Sequence, residues 1–216
     1  MKYKNIIFDL DGTLTDSGPG IRNGVSHALK RFGIGPKDTA FLNKFIGPPL
    51  FDSFVNFCGI PPEEAVKGEA FFREYYQDKG IFENSLYDGI YSSLEKLYGA
   101  GLSLYIATSK PEFMAVTVAE HFGIKKFFRD IRGSVPEDGL SDKKDVIAQL
   151  LISHPEISKN NSVMVGDRKH DILGAKAHNI PCITVLWGYG SQQEFLKYGS
   201  LLSVDSPDNL AKVLLS

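Results

Sequence analysis

Cysteine is scarce in this chain, with two in 216 residues, Cys58 and Cys182. They lie far apart, and no C-x-x-C spacing suggests zinc or a redox pair. Both read as core residues of a protein kept in a reducing compartment. No apolar run approaches the ~20 residues that a membrane span needs. The opening Met1-Lys2-Tyr3-Lys4 leads straight into a short strand, without the apolar stretch of a signal peptide. An excess of one charge is missing too. The formal net charge is -2 and no block of basic residues occurs, which argues against a nucleic-acid binder. Internal repeats and low-complexity segments are absent. These absences leave a soluble protein, expected to be cytoplasmic, with neither nucleic acid nor membrane as partner. Nothing in the sequence requires more than a monomer.

What the chain does have is apolar mass and one unusual acidic stretch. Hydrophobic residues make up 43% of it, enough to bury a proper core. Its length exceeds the ~150 residues of a common single domain, so an inserted segment or two small domains is expected. Ile6 to Ser17 reads I-I-F-D-L-D-G-T-L-T-D-S, with Ile6, Ile7 and Phe8 as the end of a buried strand. Asp9 and Asp11 follow at once, and in extended geometry they point to one side and Leu10 to the other. Gly12 and Thr13 then break the strand. Paired acids leaving a buried strand repel each other and lose hydration, so a cation or a shared proton must compensate. The bland alternative is a surface turn, since Asp and Gly suit turn geometry. A calcium loop counted from Asp9 would need glycine at its sixth position and glutamate at its twelfth. Leu14 and Gly20 stand there, so that reading fails.

From about Ser17 to Gly80 nothing alternates like a strand. Ile21, Val25, Ala28, Leu29 and Phe32 recur at helical spacing, Phe51 to Cys58 suggests a short helix, and Glu63 to Asp78 a longer one. The Phe and Tyr residues of this block read as the core of a small helical domain. From Tyr87 onward helices and strands alternate. Strands are expected at Leu102–Ala107, Asp130–Ser134, Ser162–Val165, Ile183–Val185 and Leu201–Val204. Between and after them fall helices around Leu94, around Met114 and Val118, at Lys143–Ser153, at Lys169–Asn179 and from Pro207. Short connections between them imply a parallel sheet covered on both faces. The expected architecture is α/β, a Rossmann-like doubly wound core made of residues 1–15 and 84–216. A small all-helical cap, residues 16–83, is inserted after the first strand.

Ligands of such sheets sit at the carboxyl ends of the strands. Three strands end there in residues fit for chemistry: Asp9 and Asp11, then Thr108 and Ser109, then Asp167 with Asp171 one helical turn beyond. A lysine pair, Lys143-Lys144, begins a further helix. Acids, a hydroxyl and a lysine at one sheet edge form a magnesium and phosphate site, because Mg2+ prefers a few carboxylates, waters and phosphate oxygens.

These pieces together resemble the haloacid dehalogenase-like superfamily of aspartate-nucleophile phosphohydrolases. Asp9-Leu10-Asp11-Gly12-Thr13 resembles its first motif and Thr108 its second. Lys143 or Lys144 resembles the third, and Gly166-Asp167-x-x-x-Asp171 the fourth. The Ile46-Gly47-Pro48-Pro49-Leu50 and Trp187-Gly188-Tyr189-Gly190 segments look most like phosphoglycolate phosphatase-type members. The resemblance implies that Asp9 attacks phosphorus and becomes an aspartyl phosphate. Asp11 would protonate the leaving oxygen and then take a proton from the hydrolytic water. Mg2+ would be held by the Asp9 and Asp167 carboxylates and the Asp11 carbonyl, with Asp171 supporting from behind. Thr108 and the Gly12-Thr13 and Ser109-Lys110 segments would hold the phosphate, with Lys143 neutralising charge. Lys143 is preferred to Lys144 because it stands three residues before Val146, on the inward face. Lys110 reads equally well as a surface residue, while Arg168 and His170 lie close enough to matter. Arg22, Lys44 and Arg73 are candidate cap contacts.

The expected reaction is Mg2+-dependent hydrolysis of a small phosphate monoester, such as phosphoglycolate, a 5′-nucleotide or a sugar phosphate. A phosphomutase of the same fold is the first rival. A receiver-type signalling domain also gathers acids, a hydroxyl and a lysine around magnesium. It would be far shorter, would carry no helical insertion, and would place its phospho-acceptor on a middle strand. The acid pair on the first strand and the inserted helices argue against it.

Overall fold

The computed structural model describes residues 2–135 and 142–216. The chain opens with β1 (Asn5–Phe8) and β2 (Thr15–Asp16), followed by the helices α1 (Gly18–Arg31), α2 (Thr39–Leu42), α3 (Leu50–Cys58) and α4 (Pro62–Tyr76). Next come β3 (Ser85–Leu86), α5 (Ile90–Gly99), β4 (Ser103–Pro111), α6 (Glu112–His121) and β5 (Phe128–Ser134). Strict alternation then continues through α7 (Lys143–Ser153), β6 (Ser162–Gly166), α8 (Lys169–Ala177) and β7 (Cys182–Val185). The last elements are α9 (Gln192–Tyr198), β8 (Leu202–Val204) and α10 (Pro207–Leu215). Two compact units result, one from the residues up to Thr15 with Leu86–Ser216, the other Asp16–Ser85.

The larger unit is a six-stranded sheet in the order β5-β4-β1-β6-β7-β8, and every neighbouring pair runs parallel. Its central strands are near-continuous apolar runs because helices cover both faces. Ile6, Ile7, Leu104, Tyr105, Val163 and Met164 are all fully buried. One face packs Ile7, Tyr105 and Met164 against Val146, Ile147 and Leu150 of α7 and Ile172 and Ala175 of α8. The chain builds outward from β1 through β4 to β5, then returns to β6 on the other side of β1 and builds outward again. The order reverses between β1 and β6, so a crevice opens at their carboxyl ends, the usual place for a ligand in such sheets.

The smaller unit is helical, built on α1, α3 and α4. Its core is aromatic: Phe32 meets Phe54 and Phe71 edge-on at centroid distances of 6.2 and 5.3 Å, and Phe45 meets Phe54 at 5.4 Å. Such pairs add attraction beyond the area they bury. Phe45, Phe54, Phe72 and Tyr76 are buried.

Several boundaries differ from expectation. β4 runs on through Thr108, Ser109 and Lys110 to Pro111, with a register shift against β5 beyond Ala107. Helix α9 has no counterpart among the expected elements. Among the described residues no helix is long and apolar enough to cross a membrane.

Candidate active site

Asp9 is the first residue past β1, and its N–H still donates to Val165 O of β6 at 2.9 Å. The chain then turns hard, as the N–H groups of Thr13, Leu14 and Thr15 all donate to Leu10 O. This turn needs Gly12 at φ +85°. A Cβ there would also stand 2.3 Å from Asp167 Oδ2, so the position accepts no side chain on either ground. Asp9 is buried, and its Oδ1 accepts from Leu10 N at 2.8 Å and lies 2.7 Å from Lys143 Nζ.

Lys143 enters from the first turn of α7, buried. Its ammonium forms ion pairs with Asp9 Oδ1 and with Asp171 Oδ1 at 2.9 Å, and donates to the Ala107 carbonyl at 3.0 Å. Lys144 points away, exposed, 3.5 Å from Asp142. Asp167 caps β6 with no exposure, and its Oδ2 accepts from Tyr189 N at 2.7 Å while its Oδ1 accepts from the Thr13 hydroxyl at 3.3 Å. Asp171 sits at the third position of α8 and reaches back to the N–H groups of Asp167 and Arg168 at 3.1 and 3.0 Å. It thereby satisfies donors that a helix start leaves open.

Carboxylate oxygens of Asp9, Asp167 and Asp171 lie within 4.8 Å of one another. Lys143 is the ammonium among them, so three carboxylates face one cation and leave a buried excess of two negative charges. The strain shows in their titration. Burial first, with the Asp171 and Asp11 charges adding, pushes Asp9 up to about 7 against the pull of Lys143. Burial, Asp171 and Asp9 raise Asp167 well above the usual carboxylate range. Burial opposes the charged form of Lys143, but Asp171 and Asp9 outweigh it and raise its pKa. A divalent cation fits this donor set: it would cancel the excess charge and favour the ionised acids.

Asp11 and Lys110 form a separate pair, with Lys110 Nζ 3.2 and 3.0 Å from the two Asp11 oxygens. Thr108 is buried on β4 and its hydroxyl accepts from Lys110 N at 3.3 Å; Ser109 beside it is half-buried. The structure thus gathers Asp9, Asp11, Gly12, Thr13, Thr108, Ser109, Lys110, Lys143, Asp167 and Asp171 at one sheet edge. Thr13 is the exception in orientation, since its hydroxyl is turned inward to Asp167. Arg168 instead meets Glu194 of α9 at 3.3 Å, and His170 is half-buried. In the helical unit, Arg22 donates to Asn43 at 3.1 Å, Lys44 lies over the Phe41 ring, and Arg73 reaches Glu69 at 3.5 Å.

Three contributors escape a reading of side-chain chemistry. They are the Tyr189 amide, the Ala107 carbonyl and Gly188, where a Cβ would stand 2.3 Å from Asp167 Cβ. Trp187 donates its indole N–H to Thr13 O at 3.1 Å and so ties this segment to the turn after β1. The available signal was the glycine-rich Trp187–Gly190 run directly after a strand.

Comparison with known proteins agrees with this geometry. The family model described as haloacid dehalogenase-like hydrolase matches residues 6–185. The chain is 42% identical over 194 residues to a 5′-nucleotidase of Pseudomonas aeruginosa, covering 90% of this chain and 87% of that one. It is 40% identical to tyrosine-protein kinase PtkA of Mycobacterium tuberculosis, covering 86% of this chain but 62% of the kinase. A crystal structure of a predicted phosphatase from Clostridium acetobutylicum superposes with a TM-score of 0.95 at 40% identity, covering 100% of this chain and 99% of that one. The chain belongs to the haloacid dehalogenase-like hydrolase family.

Proposed function

We propose that this protein hydrolyses a small phosphate monoester through a phosphorylated Asp9. The observation that carries the reading is the placement of Asp9. It stands at the switch point of the sheet, and both of its bonds fall on Oδ1, with Oδ2 left as the attacking oxygen. As Oδ2 bonds to phosphorus, the ester P–O bond breaks and the Asp11 carboxyl proton goes to the leaving oxygen, which departs as an alcohol. A water then bonds to phosphorus, the Asp9–phosphorus bond breaks, and the water proton returns to Asp11. The Thr108 hydroxyl and the Ser109 amide are the donors we assign to the phosphoryl oxygens, whereas the Gly12 amide is spent on Thr15 O at 2.7 Å. The Asp9 and Asp167 carboxylates and the Asp11 carbonyl would hold Mg2+, whose positive charge would stabilise the phosphoryl oxygens. Lys143 holds Asp9 and Asp171 in place and Asp171 fixes the backbone that presents Asp167.

The likeness to a 5′-nucleotidase puts 5′-nucleotides first among substrates, ahead of phosphoglycolate and sugar phosphates. Similarity to a kinase keeps transfer to a hydroxyl, as in a mutase, as the second reading. The test is phosphate release from such a panel with Mg2+, for wild type and Asp9→Asn. Release should fall by at least ~10³-fold in the variant and vanish on chelation. Release by Asp9→Asn within tenfold of wild type would falsify the aspartyl-phosphate reading. A phosphoprotein that passes its group only to an added alcohol would replace hydrolase with transferase.

A further inference from the structure

Two buried lysines serve this edge, and they are committed differently. Lys143 meets three protein oxygens, on Asp9, Asp171 and Ala107, and belongs to the scaffold of the cluster. Lys110 instead grips both oxygens of Asp11, at 3.2 and 3.0 Å, with side-chain exposures of 4% for the lysine and 13% for the acid. We propose that Lys110 is a positioning residue for Asp11, fixing the carboxyl group that must hand a proton to the leaving oxygen. The proposal rests on the aspartyl-phosphate reading above.

The argument is geometric. Asp11 follows β1 just before the turn at Gly12, and backbone bonds hold its main chain through an Asp11–Thr15 bridge. Its side chain has no such constraint, since two torsions separate the carboxyl group from the backbone. A proton can pass only over hydrogen-bond distance, so a carboxyl group free to swing would be correctly placed for a fraction of the time. Two contacts from one ammonium, one to each oxygen, hold the carboxyl group beside the end of β4, and one of them keeps it there once the other oxygen turns away. Lys110 is itself fixed, because it lies on the extended end of β4 and its N–H donates to the Thr108 hydroxyl at 3.3 Å. The pair therefore joins the end of β4 to the segment just past the neighbouring strand β1. On binding, one Asp11 oxygen turns to the ester oxygen while the other keeps its lysine contact. This role differs from phosphate binding, which would serve every phosphate ester alike.

Leaving groups separate the two roles. An alkyl phosphate needs a proton on its departing oxygen, whereas p-nitrophenolate departs without one. We would measure kcat/KM for p-nitrophenyl phosphate and for the best alkyl ester of the panel, in wild type, Lys110→Met and Lys110→Arg. In Lys110→Met the loss with the alkyl ester should exceed the loss with p-nitrophenyl phosphate by at least about tenfold. Lys110→Arg, whose fork can also meet both oxygens, should restore part of the difference. Asp11→Asn should show the same leaving-group pattern, and adding Lys110→Met to it should cost little more. Equal losses on both esters, or additive losses in the double variant, would overturn the proposal. That failure is distinct from failure of the parent reading, which shows as an active Asp9→Asn.

Discussion

Lys143 and Lys144 are neighbours in the chain with opposite surroundings. Both begin α7, and a lysine at a helix start is ordinarily solvated. Lys143 shares the inward face with Val146 and Ile147, and this carries its ammonium to Asp9 and Asp171. Lys144, one position and about 100° further round the helix, keeps its ammonium in solvent. Their removal should therefore differ several-fold in energy. In chelated protein Lys143→Met leaves buried carboxylates without their cation and should cost about 3 kcal/mol. Lys144→Met should cost less than about 0.5 kcal/mol. Urea unfolding at neutral pH reads both, and equal costs would mean that Lys143 is not the charge that balances the cluster. Sequence periodicity favoured Lys143 without excluding Lys144, because the choice depends on which acids the fold brings opposite.

Elements were read from the sequence more securely than their ends or their partners. The strands of the sheet announce themselves as apolar runs, and the polar residues that end β1, β4 and β6 follow from the ligand-side rule for such sheets. Helix α9 did not, since it spans seven residues with only Phe195 buried, too few to show a period. The Tyr189 amide was invisible because every residue but proline carries such a donor. The close approach of α7 and α8 was hidden for a related reason, as a glycine in a helix signals nothing about what lies against it. Gly174 of α8 has no room for a Cβ, which would stand 2.7 Å from Lys143 Cγ and 3.3 Å from its backbone carbon. Alanine is ordinarily the better helix former by roughly 1 kcal/mol, yet Gly174→Ala must displace Lys143 near its backbone, where the side chain cannot swing away. The expected result is a loss of phosphate release of about tenfold or more, with no gain in stability. Thermal unfolding and a release assay on the one variant check it. A more stable and fully active Gly174→Ala would show that α7 and α8 can part without moving the site.

At the scale of the whole molecule, a net charge of only -2 means that general repulsion does not govern folding near neutral pH. The buried acids do. Asp9 rises from 3.8 to about 7 and Asp167 rises well above 3.8, both chiefly through burial. The folded, metal-free protein therefore holds protons that the unfolded chain has already released. Stability falls with rising pH wherever the folded state binds the more protons. The window opens near pH 4 and, for Asp9, closes near pH 7. A divalent cation that binds the ionised acids takes the place of those protons, so it should stabilise least where the acids are protonated. Chelated protein should lose roughly 5 °C in Tm between pH 5 and pH 8, at about 2–4 °C per kcal/mol for a chain of this size. Saturating Mg2+ should raise Tm clearly at pH 8 and little at pH 5. The opposite slope, or an equal Mg2+ effect at both values, would mean that Asp9 and Asp167 are already balanced within the protein, and the case for a cation at this cluster would fall with it.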